Sequence, residues 1–329
     1  MNVTVIQAEG LVKDYGRVRA LDGLDLEVTR GEIFGFLGPN GAGKSTTIRI
    51  LLDQLRPTAG QARVFGTAPR AGAARQRARL GYLPGELAMT GRATAGDLLG
   101  YLATLRGGAG RERIAGLADR LQLDLGRPIR GLSKGNKQKV GVIQAFMHDP
   151  ELLILDEPTS GLDPLLQQEF LAMAREARDR GATVFMSSHV LSEVEEIAGR
   201  VAIVRAGRIV DLDDVATLRY HAGQQVELTF AEPDGIDATA FERLPGVSDV
   251  RLAGTTVRCR LHGEPDALLK LAAAHHVERW SAQDRELEDL FLDHYRMPVS
   301  GDDDEVVASD ASAGAATAAG PARDTQGER

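Results

Sequence analysis

A glycine-rich stretch with the sequence GPNGAGKST stands early in the chain. Glycine permits backbone angles that other residues resist, so such a loop can curl its amide N–H groups around a phosphate. The helix expected after the loop adds a partial positive charge at its N-terminus. Lys44 is expected to reach the β- and γ-phosphates of a nucleotide, and Ser45 to bind Mg²⁺. The predicted phosphate loop consists of Gly38, Pro39, Asn40, Gly41, Ala42, Gly43, Lys44, Ser45 and Thr46.

Asp156 and Glu157 stand at the end of a short apolar run, LLILDEP. Such a run is typical of a buried parallel strand, and ligands of open α/β sheets bind at the carboxyl ends of strands. Asp156 is expected to hold Mg²⁺ through water, and Glu157 to orient or deprotonate an attacking water. The alternative is a charged pair that opens a surface turn before Pro158. Together the two motifs predict a nucleoside triphosphatase.

The elements around these motifs alternate between strands and helices, as in α/β nucleotide-binding folds. A predicted strand, EIFGFL, precedes the phosphate loop and a predicted helix, TTIRILLDQL, follows it, which weighs against a chance glycine turn. Residues 92–147 and 164–180 are predicted to be mainly helical. Further on, ATVFMSS is predicted as a strand, SHVLSEVEEIAGR as a helix and VAIVRAGRIV as a pair of strands.

Further short motifs narrow the class of triphosphatase. LSKGNKQK begins at Leu132, SGLD ends at Asp163, SSHVLSEVE contains His189, and LVKDYG contains Tyr15. In type and order these segments resemble the signature, D-loop, switch histidine and adenine-stacking aromatic of ABC transporter ATP-binding subunits. The resemblance implies that Tyr15 stacks on adenine and that His189 senses the γ-phosphate. It also implies that Ser133, Gly135 and Asp163 contribute to a nucleotide site.

Each of these residues also has a simpler interpretation. Tyr15 could pack against a strand end, and His189 could start a helix behind two capping serines. Ser133 and Gly135 could form an ordinary helix cap and turn, and Asp163 could be a turn residue before a proline.

Two motifs depart from the family pattern. Lys134 replaces the first glycine of the signature and Asn136 replaces its glutamine. The family usually has glutamine after a stretch like GYLP, where this chain has Gly85 followed by Glu86. That glutamine helps to bind Mg²⁺ and communicates with the membrane subunit. We hypothesise that Glu86 takes over part of this role.

Both departures, together with the segment LEDLFLDHYR, resemble the drug- and antibiotic-exporting branch of the family. The resemblance implies ATP and Mg²⁺ as cofactors, a head-to-tail homodimer with two composite ATP sites, and a transmembrane permease that is contacted around Tyr82–Met89. The resemblance also implies that the chain lies at the cytoplasmic face of the cell membrane and has a role in multidrug resistance. The alternatives are an importer ATPase and a soluble ABC ATPase that acts on ribosomes or DNA.

Composition restricts the possible partners. The net charge of −8 gives no indication of a nucleic-acid partner. Cys259 is the single cysteine, so an intramolecular disulfide is impossible. No signal peptide is expected, and no apolar run approaches the roughly 20 residues that span a bilayer. Another chain is therefore expected to supply the membrane span.

The resemblance extends over residues 3–218, and the chain changes character after it. QQVELTF, VSDVRLAG and TVRCRLHG are predicted strands, and ALLKLAAAH and RELEDLFLDHYR predicted helices. Residues after Met297 have almost no large apolar side chain and are expected to be disordered. The predicted fold is an α/β ABC ATPase domain over 1–220 with a helical subdomain at about 86–147, a small α+β domain over 221–297 and an acidic tail over 298–329.

Overall fold

A computed structural model of the 329-residue chain describes residues 3–70, 73–232 and 235–284. Its largest sheet has six strands in the order β5-β6-β7-β3-β8-β9. The first five of these strands are parallel, and β9 pairs antiparallel with β8. The strands are β3 Ile33–Leu37, β5 Leu80–Leu83, β6 Leu152–Asp156, β7 Thr183–Ser188, β8 Arg200–Arg205 and β9 Arg208–Asp214.

The central strands of this sheet are apolar because both of their faces are covered. Every residue of β3, β6 and β7 is buried, as expected for parallel strands between two layers. Phe34 and Phe185 stack on one face of the sheet with ring centroids 5.9 Å apart. Parallel strands bring their carboxyl ends to one edge, so the loops that follow β3, β6 and β7 meet there.

A three-stranded antiparallel sheet in the order β2-β1-β4 covers the face of the large sheet that carries Phe34 and Phe185, together with the first helix. Its strands share one hydrophobic cluster with Phe34 and Phe36 of the large sheet. Tyr15 is the last residue of β1 and lies at the turn into β2. These elements are β1 Thr4–Tyr15, β2 Val18–Thr29, β4 Ala59–Val64 and α1 Lys44–Leu51.

Helices cover the opposite face and form a second hydrophobic cluster. Thr94 and Asp97 form a capping box at the start of α3, and Asp163 caps α6 with Pro164 in its first turn. The helices predicted over 92–147 and 164–180 are therefore present. The helices on this face are α3 Ala95–Leu105, α4 Ile114–Arg120, α5 Lys134–Phe146, α6 Pro164–Asp179, α7 Leu191–Ile197 and α8 Val215–Ala222. The short helix α2 Ala73–Ala78 contacts β4 instead, where Gln76 Nε2 donates to the carbonyl oxygen of Val64 at 2.8 Å.

The remaining elements form a separate α+β unit with a hydrophobic cluster of its own. Its four antiparallel strands have the order β11-β12-β10-β13. The three strands predicted in this unit are present, and the predicted helix ALLKLAAAH corresponds to α10. The bounds are β10 Gln224–Phe230, α9 Ala238–Glu242, β11 Val247–Ala253, β12 Thr256–Leu261, α10 Asp266–Ala272 and β13 Val277–Asp284.

The predicted α/β architecture with an additional α+β unit is confirmed. The division at residue 220 stays a prediction, and it falls within α8, which ends at Ala222. The predicted helix RELEDLFLDHYR and the tail over 298–329 lie outside the described residues. Within the described ranges, no helix is both long and apolar enough to cross a lipid bilayer.

Candidate nucleotide-binding and hydrolysis site

The predicted phosphate loop joins β3 to α1 and brings its lysine to the centre of the site. Lys44 is 6% exposed. Its Nζ donates to the carbonyl oxygens of Gly38 and Pro39, the second at 3.3 Å. Gly43 has φ of 109°, and a Cβ there would lie 2.7 Å from the carbonyl oxygen of Ala20. Glycine is therefore required at this point, because the left-handed backbone and the close contact both exclude a side chain.

Asp156 lies beside the phosphate loop, at the carboxyl end of β6. Ser45 Oγ donates to Asp156 Oδ2 at 2.9 Å, and Ser187 Oγ donates to Asp156 Oδ1. Asp156 is 6% exposed. A hydroxyl and a carboxylate at this distance suit Mg²⁺, which proteins usually bind through one or two carboxylates together with substrate phosphates. Among the residues that the structure describes, no group of three acidic, histidine or cysteine side chains forms an all-protein metal site.

Glu157 adopts a strained backbone that directs its side chain into the site. Its φ is 49°, in the left-handed region that non-glycine residues rarely adopt. Its amide N donates to the carbonyl oxygen of Ser187 at 3.2 Å. Its Oε1 lies 3.3 Å from Lys44 Nζ, and the side chain is 20% exposed. Such strain persists where surrounding contacts determine the conformation, and it is concentrated at functional sites.

His189 contacts the same carboxylate from the neighbouring loop. Its Nδ1 lies 2.6 Å from Glu157 Oε2. The helix predicted to include His189 begins later, at Leu191, because Ser188 Oγ accepts a hydrogen bond from Val190 N at 2.9 Å and forms a turn there. This corrects the predicted helix start and leaves the histidine ring on a loop, 55% exposed. Lys44, Glu157 and His189 thus converge on one point.

Glu193 is a site residue that the sequence alone did not reveal. Its Oε2 accepts hydrogen bonds from Thr159 Oγ1 at 2.7 Å and from Ser188 Oγ at 3.3 Å. It therefore joins the loop after β6 to the loop after β7, which carry Glu157 and His189. Burial raises the pKa of the Glu193 carboxyl, and the negative charge of Glu157 raises it further. The spacing of Glu193 four residues after His189 was the one signal in the sequence that could have found it.

Replacement of Glu193 by alanine is expected to lower kcat for ATP hydrolysis about tenfold, because two hydrogen bonds that fix the catalytic loops are lost. Glu193→Gln is expected to retain most of the rate, since its amide oxygen can accept both bonds. Steady-state kinetics with purified protein measure this. Glu196→Ala is a control on the same helix, where the carboxylate pairs with Arg175 at 2.6 Å. An unchanged kcat, or an equal loss in the glutamine variant, would refute the positioning role.

The predicted signature and D-loop residues lie next to each other. Ser133 caps α5 and accepts from Asn136 N at 3.3 Å. Asp163 caps α6 and accepts from Leu166 N at 3.1 Å. A Cβ on Gly135 would lie 2.6 Å from the carbonyl oxygen of Gly161, so the two segments are in tight contact. The simpler interpretation as a helix cap thus holds for Ser133, whereas Gly135 lies within α5 and Asp163 caps a helix where a turn was the alternative. The nucleotide contacts of these residues stay predictions.

Tyr15 presents an open ring at the end of β1. The residue is 45% exposed, and Lys13 Nζ lies 5.3 Å from the ring centroid. This exposure leaves a ring face free to stack on a planar base, whereas close packing against the strand end would bury it. The predicted contact with adenine stays a prediction.

The segment after β5 lies beside Asp156. A Cβ on Gly85 would lie 3.4 Å from Asp156 Cγ, so this position faces the predicted metal site. Glu86 is exposed. Among the described residues it makes no hydrogen bond or ion pair, and its predicted role at the metal site stays a prediction. Tyr82 of β5 is half-buried, and burial followed by the charge of Asp156 raises the pKa of its hydroxyl.

Replacement of Glu86 by alanine is expected to raise the Mg²⁺ concentration for half-maximal ATP hydrolysis about tenfold, the lower end of what an outer-shell metal partner contributes. Titration of Mg²⁺ at saturating ATP measures this. Glu112→Ala removes a carboxylate from another exposed position and serves as the control. If Glu86→Ala leaves the Mg²⁺ dependence and transport unchanged, the hypothesis is wrong.

Comparison with known proteins agrees with the motifs. The profile of the family described as ABC transporter matches residues 21–160. The chain is 34% identical to the daunorubicin resistance ATP-binding protein DrrA3 of Streptomyces coeruleorubidus, over 92% of this chain and 98% of that protein. It is 33% identical to the bacitracin transport ATP-binding protein BcrA of Enterococcus faecalis, over 77% of this chain and 83% of that protein.

Solved structures give the same result for the fold. The structure described as an ATP-binding subunit of an ABC transporter superimposes with a TM-score of 0.62 at 29% identity. The match covers 66% of this chain and 92% of that chain. The site formed by the phosphate loop, Asp156 and Glu157 therefore lies in a fold shared with ATP-binding cassettes.

Proposed function

We propose that this chain, which belongs to the ABC transporter family of ATP-binding proteins, is an ATPase that powers export. The exported compound is a drug, an antibiotic or another hydrophobic compound, and it passes through a separate permease. One observation supports hydrolysis above all others. Glu157 lies 3.3 Å from Lys44 and 2.6 Å from His189, so a phosphate ligand, a base and a γ-phosphate sensor meet at one point. The names of relatives that act in daunorubicin resistance and bacitracin transport support export.

This geometry and the family resemblance support the following roles for the side chains. The phosphate loop and Lys44 bind the phosphates of ATP, and the exposed ring of Tyr15 stacks on adenine. Glu157 accepts a proton from water as the water oxygen bonds to the γ-phosphorus and the bond to the leaving ADP oxygen breaks. His189 donates a hydrogen bond to the γ-phosphate. Ser45 and Asp156 would hold Mg²⁺, which neutralises phosphate charge when bound.

The second half of each ATP site comes from another copy of the chain. The tight contact between Gly135 and Gly161 places the signature and the D-loop on one surface. In a head-to-tail dimer, Ser133 and Gly135 of one subunit face the ATP held by Lys44 of the other. Two-fold symmetry then produces two equal sites. ATP favours the closed dimer through contacts with both subunits, and hydrolysis removes those contacts.

The permease contacts the helical side of the chain near Tyr82–Met89. A groove of about 510 Å³ lies between α2, α3 and α5, with Leu102 and Arg106 in its wall, although none of residues 82–89 lines it. Tyr101 and Leu105 on α3 are 61% and 65% exposed. Large apolar side chains exposed beside a groove are typical of protein interaction sites. Binding at this surface places the chain at the cytoplasmic face of the membrane.

Accumulation of antibiotics in cells tests the direction of transport. Cells that lack this chain are compared with cells that express the wild type or Glu157→Gln from a plasmid, over a panel that includes an anthracycline and a peptide antibiotic. Export predicts that the deletion raises accumulation of at least one compound and that only the wild type restores the lower level. Equal accumulation of every compound in all three strains would contradict export of these classes, and lower accumulation in the deletion would indicate import.

A further inference from the structure

We propose that Lys134 supplies a positive charge to the γ-phosphate of the ATP held by the other subunit. The proposal rests on the head-to-tail dimer of the proposed function. It assigns a binding role to a side chain at a signature position where the family has glycine. A glycine there contributes backbone alone, so the ammonium group is an additional ligand.

The side chain of Lys134 lies across the D-loop. Lys134 is the first residue of α5, directly after the capping residue Ser133, and it is exposed. A Cβ placed on Gly161 would lie 3.7 Å from Lys134 Cγ and Cδ, so the aliphatic stem packs along that glycine. Nζ lies 3.4 Å from Ser160 Oγ. The amine is therefore held beside the D-loop, on the surface that carries the signature serine.

The backbone under this side chain is closely packed. Gly135 approaches the carbonyl oxygen of Gly161 so closely that an added Cβ would lie 2.6 Å from it. The start of α5 and the D-loop therefore keep a fixed separation. The packed stem of Lys134 spans the start of α5 and the D-loop, so the amine is preorganised before a second subunit binds. Preorganisation lowers the entropy lost on binding.

Lys134 differs from the other lysine of the site in its partners. Lys44 lies 3.3 Å from the carboxylate of Glu157. The ammonium group of Lys134 contacts only a neutral hydroxyl within the described ranges, and no carboxylate there neutralises its charge. An ammonium group of this kind is a suitable ligand for a phosphate, because charge-assisted hydrogen bonds are shorter and stronger than neutral ones. In the proposed dimer the surface that carries Ser133 and Lys134 faces the γ-phosphate of the ATP held by the other subunit.

The test measures ATP-dependent dimerisation by sedimentation in a Glu157→Gln background, which keeps ATP intact. Lys134→Met removes the charge and retains an aliphatic stem, and it is expected to weaken the ATP dimer at least about tenfold. Lys134→Arg is expected to retain dimerisation. The affinity of the dimer that retains Lys134 is also expected to fall more steeply with salt concentration than the affinity of the Lys134→Met dimer. Lys270→Met lowers the net charge equally at a position 75% exposed on α10 and is expected to have no effect.

The outcomes separate this inference from the function on which it rests. If Glu157→Gln protein does not dimerise with ATP, both the dimer and the role of Lys134 are refuted. If it dimerises and Lys134→Met changes neither the dissociation constant nor the salt dependence, the role of Lys134 alone is refuted. An equal loss in the methionine and arginine variants would assign Lys134 a structural role and would also refute the proposal. ATP affinity of the monomer, which must remain unchanged, reports on the integrity of each variant.

Discussion

Glu157→Gln is expected to lower the rate of ATP hydrolysis about 10²- to 10⁴-fold, the range of general-base contributions, while ATP binding persists. Glutamine keeps the size and hydrogen-bonding capacity of the side chain next to His189 Nδ1, 2.6 Å away, but it cannot accept the proton of the attacking water. It also removes a negative charge from the position next to the γ-phosphate. The variant is therefore expected to accumulate as an ATP-bound dimer.

Phosphate release and sedimentation with ATP measure these two effects in one preparation. Glu112→Gln makes the same chemical change at an exposed residue and is expected to hydrolyse ATP at the wild-type rate. Turnover by Glu157→Gln within a few-fold of wild type would remove Glu157 from the catalytic role. The phosphate-binding role of Lys44 would be unaffected by that result.

Lys44→Ala is expected to weaken ATP binding by about 2–5 kcal/mol, which exceeds a tenfold change in dissociation constant. The amine is 6% exposed and its position is fixed by two loop carbonyls. Its removal leaves the ATP phosphates without their buried cation and Glu157 without its ion-pair partner at 3.3 Å. Titration with a fluorescent ATP analogue measures the loss.

Lys139 provides a control for the removal of a buried lysine. It is 9% exposed and donates to the carbonyl oxygen of Gln122 at 3.4 Å, away from the phosphate loop. Lys139→Ala is expected to lower stability and to leave the ATP affinity of the monomer unchanged. Wild-type affinity in Lys44→Ala would show that the loop binds phosphate without its lysine, and it would contradict the role assigned to Lys44.

The nucleotide site was predictable from the sequence because its residues lie at the ends of strands or directly after them. β3 and β6 are short and mainly apolar, β7 has the apolar centre VFM, and a parallel sheet brings the residues after such strands to one edge. The phosphate loop, Asp156 and Glu157 therefore needed no knowledge of tertiary packing. The contact between Glu157 and His189, at 2.6 Å, follows from β6 and β7 being neighbours.

Glu193 was not predictable in the same way. Its role depends on the turn at Ser188 that delays α7 to Leu191 and on the approach of Thr159 from another loop. A helix drawn from Ser188 onward places Glu193 next to His189, one turn along, and does not reveal its partner Thr159. Side-chain hydrogen bonds that compete with helix starts are not visible in a hydrophobic pattern.

The last strand of the α+β unit was missed for a different reason. In β13, Trp280 opposes Leu228 and Val277 opposes Phe230, with a register shift between the two pairs. The shift is an irregularity of one residue, so residues three apart face the same hydrophobic cluster. The period of two that identifies a strand in a sequence is therefore absent from this segment.

The most direct test of the central claim, that this ATPase powers a separate membrane transporter, is affinity purification of the tagged full chain from gently solubilised native membranes. Mass spectrometry then identifies the partners, with the tag alone as control. We predict recovery of a polytopic membrane protein together with the chain. Recovery of soluble ribosomal or DNA-associated proteins alone would contradict the transport function and leave the ATPase chemistry in place.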